Sequence, residues 1–181
     1  MPIPDPSAVH APVDGAVAPA AWGAEVNAAI DQALRPQMVR VHRATNFSIA
    51  HVTTVSIPWD DTLFDDDDMH STSTNPSRLT AQVPGRYEVA ATVVFDADST
   101  GARLLGLWKR HGETDEFRFD RDVDSNPGAS QVTVLRVSGT VDLDAGDWVE
   151  VRARQESGSS LDVIGSSDGD ESFFRAEWRG R

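Results

Sequence analysis

The clearest hydrophobic pattern in the chain is a period-2 alternation that runs from Arg86 to Phe95. Successive side chains of a β-strand point to opposite faces, so this pattern predicts a strand with one fully apolar face. The other face begins polar and then becomes small and apolar at Ala90, Thr92 and Val94. A strand wetted on one side does not need a second apolar face. We therefore expect a central strand whose far half is covered twice, with a neighbouring copy of the chain packed on Ala90, Thr92 and Val94.

Short apolar runs recur at even spacing from Met38 to Trp178, and no further convincing helical pattern lies among them. Loops rich in Asp, Ser, Asn, Gly and Pro separate the runs, which is typical of a β-sandwich or barrel. About ten such runs predict one all-β domain, an antiparallel ten-strand jelly-roll sandwich, rather than two domains. Polar loops at residues 96–101, 110–116, 120–129 and 165–171 are expected at the end of the head away from its attachment.

The first 37 residues have a different pattern. Residues 1–19 contain five prolines and few large apolar side chains, which predicts an extended arm that cannot fold alone. A helical stripe follows, made by Trp22, Val26, Ile30 and Leu34, and Pro36 ends it. Isolated helices this short are marginal in water. We expect residues 1–37 to form an attachment or trimerisation segment and residues 38–181 to form the head.

The composition narrows the range of partners. The formal net charge is −13, and such a surface repels phosphate backbones, so nucleic acid is not expected as a partner. The chain has no apolar run of about 18 residues and no basic and apolar leader, so neither a membrane span nor a signal peptide is predicted. Cysteine is absent, which excludes disulfides and thiolate chemistry. These features predict a protein that stays in the cell that made it or leaves by lysis or within a particle.

A run of carboxylates between Asp60 and Asp68 is the one candidate for a metal site. Clustered oxygens suit calcium, and the candidate ligands are Asp65, Asp66, Asp67 and Asp68. The run lacks the alternating Asp-x-Asp-x-Asp-Gly spacing and the distant Glu of a known calcium loop, which favours a solvated acidic loop. The histidines form no zinc-binding pattern, and His70 is expected to be a structural hydrogen-bonding residue. The prediction is therefore a protein without metal or cofactor.

Motifs of catalysis do not appear in the sequence, which holds no nucleophile elbow, P-loop or dinucleotide-binding turn. Carboxylate pairs carry no information in a chain with 29 acidic residues. The protein is therefore predicted not to be an enzyme. Among the tryptophans, Trp59 is the candidate for an exposed glycan contact, with a loop anchor as the alternative. Trp108 could face either side of its strand.

Three segments share the pattern of a known head domain. They are Pro84-Gly85-Arg86-Tyr87 before the alternating strand, Leu143-Asp144-Ala145-Gly146-Asp147-Trp148-Val149, and Phe173-Phe174-Arg175-Ala176-Glu177-Trp178. In this order they resemble the jelly-roll head shared by the globular domain of the first complement component and the tumour necrosis factor family. The resemblance implies the same all-β jelly roll.

A second set of segments, at residues 65–70, 75–80, 100–103 and 155–158, is more specific. It is similar to a version of this head found in virion proteins, often minor tail proteins, of tailed bacteriophages. In those proteins a segment like Val13-Asp14-Gly15 followed by Ala20-Ala21-Trp22-Gly23 commonly precedes the head. Two positions depart from the pattern: Asp68 stands where glycine is frequent, and Arg110-His111-Gly112 replaces an Asn-Gly turn.

The phage resemblance implies a homotrimer with its central strands turned inward, located in the virion. Its expected partners are itself, other virion proteins bound by the N-terminal arm, and a host cell-surface glycan. The expected role is a structural protein of the tail, tail tip or fibre that serves host adsorption. Two alternatives remain open: a head decoration or head-fibre protein with a purely structural role, and a virion-associated glycan depolymerase.

Overall fold

The computed structural model of the chain describes residues 22–27, 30, 36–111, 115–125 and 131–180. Residues 22–27 and 30 are helical, as their spacing predicts, while Leu34 lies outside the described residues. No helix among the described residues is long and apolar enough to cross a membrane. The strands in the described part of the chain are β1 (Met38–His42), β2 (Phe47–Ile49), β3 (Thr54–Ser56), β4 (Asp61–Asp65), β5 (Arg78–Thr80), β6 (Gly85–Phe95), β7 (Arg103–His111), β8 (Asp115–Asp124), β9 (Thr133–Leu143), β10 (Trp148–Gln155), β11 (Leu161–Val163) and β12 (Phe173–Gly180).

The strands form two antiparallel sheets, which confirms the predicted jelly-roll sandwich. Hydrogen-bonded neighbours in the first sheet follow the order β2-β11-β6-β12-β1-β4. β12 and β11 occupy one edge of β6 in succession, and β9 pairs with the opposite edge. The second sheet has the order β3-β10-β7-β8, and β5 also pairs with β10. The predicted central strand, β6, pairs with β9 along its whole length, from Gly85 opposite Leu143 to Phe95 opposite Thr133.

The hydrophobic core lies between the two sheets. The alternating face of β6 enters it, and Tyr87, Val89, Val93 and Phe95 are fully buried there. The inward residues of β7 and β10 meet them from the second sheet; they include Leu105, Leu107, Val149 and Val151. The period-2 pattern thus predicts both the strand and the face that it buries.

Two acidic segments that the sequence predicts as loops are strands. The acidic run begins with β4, which pairs with β1, and β8 continues through Asp120 and Asp122. On β8 the carboxylates replace ladder hydrogen bonds to the neighbouring β9. Asp120 Oδ2 accepts from the Ser138 N–H at 2.7 Å, and Asp122 Oδ2 accepts from the Arg136 N–H at 3.0 Å. Carboxylates that accept backbone N–H groups are strong acceptors, which is why a charged segment is extended here.

The second apolar face of β6 is partly covered by the chain itself. Thr92 and Val94 are 9% and 3% exposed in the single chain, while Ala90 is half-buried. The segment between β11 and β12 runs beside Val94, whose N–H donates to Ser172 Oγ at 3.0 Å and whose carbonyl accepts from Ile164 N–H at 2.8 Å. The burial of Thr92 and Val94 therefore does not require a second subunit, and of the three only Ala90 is left as a contact for one.

Gln37 belongs to the head rather than to the N-terminal segment. Its side chain is 1% exposed, and its carbonyl accepts from the Trp178 N–H at 2.9 Å. The Tyr87 hydroxyl donates to the Val83 carbonyl at 2.7 Å and also lies 3.1 Å from Gln37 Oε1. The boundary between the two parts of the chain therefore lies before Gln37, one residue earlier than the sequence suggests.

Val52, in the turn between β2 and β3, has φ +59° and is 46% exposed. The left-handed region costs an L-residue roughly 1–2 kcal/mol, and a β-branched one is an outlier there. We expect Val52→Gly to raise the free energy of unfolding by about 0.5–1 kcal/mol, since the relief of strain exceeds the added chain entropy. Urea denaturation measures this change. Thr53→Gly is the control and should lower stability, and a loss of stability in Val52→Gly would contradict the account.

Candidate functional site

Residues 65–70, which carry part of the phage resemblance, are hydrogen-bonded to the loop that precedes β5. We call such a contact between two motif segments a joint. The Asp65 carboxylate accepts the N–H groups of Met69 and His70 at 2.9 and 2.8 Å. His70 Nε2 donates to the Pro76 carbonyl at 3.1 Å, so its Nδ1 accepts from the Thr62 hydroxyl at 3.0 Å. His70 thus ties β4 to the loop that precedes β5.

Asp68 keeps the backbone conformation that a glycine would favour. Its φ is +53°, in the left-handed region. Aspartate is one of the residues that tolerate this region, because its short side chain hydrogen-bonds locally. The departure from glycine at this position therefore preserves the turn before Met69.

The acidic run does not have the geometry of a calcium site. Both oxygens of Asp65 are used by backbone N–H groups. Burial raises the pKa of Asp67, and repulsion from Asp66, Asp65 and Asp68 raises it further. Within the described ranges, no group of three or more His, Asp or Glu side chains is placed to hold a metal ion. Of this run, Asp65 is the carboxylate that stabilises the loop among the described residues.

The motif segments 100–103 and 155–158 contact each other where β7 begins and β10 ends. A side chain at Gly101, where φ is +69°, would overlap the carbonyl oxygen of Glu156. The Glu156 N–H donates to the Ala102 carbonyl at 2.9 Å. Arg103 is fully buried beside them and donates to the Asp98 carbonyl at 3.0 Å. These motif residues thus hold the two loops together.

Trp59 is not an exposed glycan contact, which corrects one interpretation of the sequence. Its exposed fraction is 0%, and its ring centroid lies 5.8 Å from that of Phe174 in the core. Its N–H on the backbone donates to the Pro76 carbonyl at 2.8 Å. The alternative, a loop anchor, is correct because the indole fills the core while only its acidic neighbours reach water.

The helical stripe is only partly described. Trp22 and Val26 are half-buried, and Ile30 is 49% exposed. An exposed isoleucine on an apolar stripe agrees with a helix whose contacts lie partly outside the single chain.

The strand register places the predicted loops at two ends, not one. Phe95, Asp124, Gln155 and Val163 mark one end, where β6, β8, β10 and β11 finish. Arg110 and Glu116, which lie opposite each other, are at the other end, beside Trp148 and on the same side as Gln37. The expectation that residues 110–116 face away from the attachment is therefore wrong for Arg110 and Glu116, while residues 112–114 lie outside the described residues.

The most distinctive surface is a group of arginines on the outward face of the second sheet. We call it the arginine surface; it consists of Gly106, Trp108, Arg118, Arg121, Arg152 and Arg154. Strand register assembles it from three strands. Gly106 of β7 lies opposite both Arg152 of β10 and Arg121 of β8, and Trp108 lies opposite Arg118.

A depression of about 120 Å³ lies at the centre of the arginine surface. Gly106 opens it, because a Cβ there would sit 3.2 Å from Trp108 Nε1 and 3.4 Å from Arg118 Cδ. The guanidinium groups of Arg152 and Arg118 lie 4.6 and 5.7 Å from the Trp108 ring centroid. Cation–π contacts of this kind hold the two guanidinium groups beside the indole.

The arginines of this surface differ in their charge partners. Arg152 pairs with Glu116 and with Glu150 at 2.5 Å, and burial lowers the pKa of Arg152 and raises that of Glu150. Arg154 pairs with Glu156 at 2.9 Å.

Arg118 and Arg121 are exposed and form no ion pair with any residue of the described ranges. Two uncompensated cations are thus brought together in a chain of net charge −13.

Local sequence patterns do not reveal this surface. The available signal is the polar alternation Trp148-x-Glu150-x-Arg152-x-Arg154, which predicts one charged face of β10. It does not show that β8 brings Arg118 and Arg121 to the same face, since that follows only from the pairing of β7 with both strands.

Comparison with known proteins places the fold in a class. No family model matches the chain, and no curated protein matches it. The crystal structure of murine APRIL at pH 5.0 is similar over 80% of this chain and 100% of its own, with 13% identity and a TM-score of 0.62. The structure of Eiger TNF from S. frugiperda is similar over 81% and 94%, with 15% identity and a TM-score of 0.58.

The arrangement of the two sheets is thus that of an antiparallel jelly roll. Within that class it is a tumour-necrosis-factor-like head, which the sequence resemblance predicts.

Burial lowers the pKa of His70 below its usual 6.5, although the Pro76 contact and Asp65 oppose this shift. Below pH 6.5 the unfolded chain takes up a proton before the folded one, so the stability that neutral His70 contributes is present above this pH and is lost as the pH falls. We expect His70→Ala to cost about 1–3 kcal/mol of unfolding free energy at pH 7.5, and this penalty should shrink below pH 6.5.

Urea denaturation at a series of pH values measures the His70 penalty. Ser73→Ala, a change in the same loop, is the control and should have a small effect at every pH. A His70→Ala penalty that stays constant or grows as the pH falls would contradict the assignment of a buried neutral histidine.

Proposed function

We propose that the protein is a structural virion protein of a tailed bacteriophage, with a trimeric head that binds the host surface. The single observation that carries the proposal is the role of the phage-like segments in this fold. Residues 65–70 and 75–80 form one joint, and residues 100–103 and 155–158 form another. The segments shared with the phage version therefore fix two sets of loops in this head. Their role as a tail, tail-tip or fibre head is our inference from that resemblance.

The outward face of the first sheet supports self-association. Ala90 lies opposite Ser138, and Glu88 lies opposite Thr140, so small side chains occupy the middle of the β6–β9 pair, next to the exposed Arg136 of β9. Glu88 also pairs with Arg179 at 2.6 Å, which neutralises charge beside this strip. A strip of small side chains lets a second sheet approach closely, and we assign it to the trimer interface.

The N-terminal segment supplies the attachment in this proposal. Its proline-rich composition is typical of a segment that orders only against a partner, and it enters the head at Gln37. β6, β8 and β11 finish at the opposite end of the head from Gln37. Attachment at one end and recognition at the other is the arrangement expected of an adsorption head.

A depolymerase is less compatible with the geometry. The described residues that line the depression at Gly106 include no carboxylate, and Glu116 and Glu150 beside it both pair with Arg152. Glycoside hydrolysis requires two carboxylates that flank the bond to be cleaved. We therefore propose a non-enzymatic protein, and a purely structural decoration protein is the outcome if host binding is absent.

The full-length protein is expected to have three times the 19.6 kDa mass of its chain by size-exclusion chromatography with light scattering. Ser138→Arg should lower that mass, because it places a long charged side chain in the proposed interface. Ser99→Arg, in the exposed loop after β6, is the matched control and should remain trimeric. A wild-type mass of one chain would contradict the trimer.

Deletion of residues 1–36, which keeps Gln37, should leave a folded, β-rich head that no longer enters phage particles. Circular dichroism tests the fold, and mass spectrometry of purified particles tests incorporation. The full-length chain is the control. If the shortened chain is unfolded, the helix belongs to the core; if it still enters particles, the attachment lies in the head.

A further inference from the structure

We propose that the depression at Gly106 binds one carboxylate or phosphate group of an acidic polysaccharide on the host surface. The anion site follows from the geometry of the arginine surface alone. The choice of a host polymer as its source rests on the proposed function.

Arg118 and Arg121 are positively charged side chains without an ion-pair partner in the described part of the chain. Both line the same depression as Arg152 and Arg154, but neither has a carboxylate partner among the described residues. A guanidinium group offers paired N–H donors in a fixed planar fork, which matches the two oxygens of a carboxylate or phosphate. Two such groups beside one depression form a site for an oxyanion.

The site has the shape of a small depression between arginine side chains. Trp108 separates and orients the guanidinium groups of Arg118 and Arg152, and the missing side chain of Gly106 forms the floor. The depression of about 120 Å³ is smaller than the roughly 300–1,000 Å³ of a pocket that encloses a drug-sized ligand. It therefore suits a single charged group on a polymer that continues across the exposed sheet.

The carboxylates around the arginine surface favour a ligand polymer whose negative charges are widely spaced. Glu116, Glu150 and Glu156 border the arginines, and the chain carries a net charge of −13. Nucleic acid has one charge per about 1.7 Å of duplex, so much of its backbone would meet this acidic border. A polysaccharide with one charge per sugar unit places an anion at the arginines and neutral hydroxyls elsewhere. We therefore assign the site to an acidic polysaccharide.

A trimer that packs through the first sheet leaves the second sheet facing outward, so each trimer presents three copies of the site. A weak single contact then gains strength from threefold presentation on one polymer.

The test measures binding of the full-length protein to four immobilised probes by biolayer interferometry. The probes are oligogalacturonate, a glycerol-phosphate oligomer, a neutral malto-oligosaccharide, and single-stranded DNA with the same number of charges. We expect binding to oligogalacturonate or to the glycerol-phosphate oligomer, weaker binding to DNA, and none to the neutral sugar. The two acidic probes distinguish a carboxylate from a phosphate ligand.

Arg118→Gln combined with Arg121→Gln should weaken binding about tenfold or more, because it removes both uncompensated cations. Arg118→Lys with Arg121→Lys keeps the charge, loses the planar forks, and should fall between this variant and the wild type. Thr72→Asp with Thr74→Asp, in the exposed loop before β5, lowers the net charge equally and should bind as the wild type does. Light scattering checks that every variant keeps its oligomeric state.

The inference is overturned if neither acidic probe binds, if DNA binds more tightly than both, or if the glutamine variant binds normally. It is also overturned if that variant loses only self-association at high protein concentration, since a second copy is then the ligand. Loss of glycan binding with normal incorporation into particles removes this inference alone. Glycan binding by a protein that is absent from particles removes the proposed function and leaves the anion site.

Discussion

The structure of the head depends on β6 having a hydrogen-bonded strand on both edges. β9 pairs with one edge along its whole length, while β12 and then β11 occupy the other. With both edges paired, the inward face of β6 can bury Tyr87, Val89, Val93 and Phe95 without leaving backbone polar groups exposed to the core. The same pairing fixes the position of Gln37, whose contacts with Tyr87 and Trp178 set the end at which the N-terminal segment enters.

Sequence patterns predict the elements whose cause is local. The alternation in β6 and the helix at residues 22–27 are both read from short segments, because each depends on the period of the hydrophobic side chains. Patterns do not predict the acidic second half of β8, since its carboxylates are stabilised in a strand by N–H groups of Arg136 and Ser138, which are distant in the chain. Trp59 shows the same limit: its acidic neighbours indicate exposure, and only the packing on Phe174 shows burial.

The candidate site is also a product of pairing between distant segments. Arg118, Arg121 and Arg152 are spread over the sequence, and the register of β7 with β8 and β10 brings them around Gly106. Arg152 pairs with Glu116 and Glu150, whereas Arg118 and Arg121 have no carboxylate partner among the described residues and repel each other. The joints at Asp65, His70 and Gly101 maintain the fold, whereas we explain the unpaired Arg118 and Arg121 by a ligand.

The central claim is a trimeric virion head with its first sheet inward and its arginine surface outward. A cryo-electron-microscopy reconstruction of intact particles tests it most directly, because it shows symmetry, orientation and attachment together. The account predicts threefold density in which β6 and β9 face the axis, residues before Gln37 contact another virion protein, and Gly106 is open to solvent. A single unassociated head, or a trimer that buries the arginine surface at its axis, would contradict it.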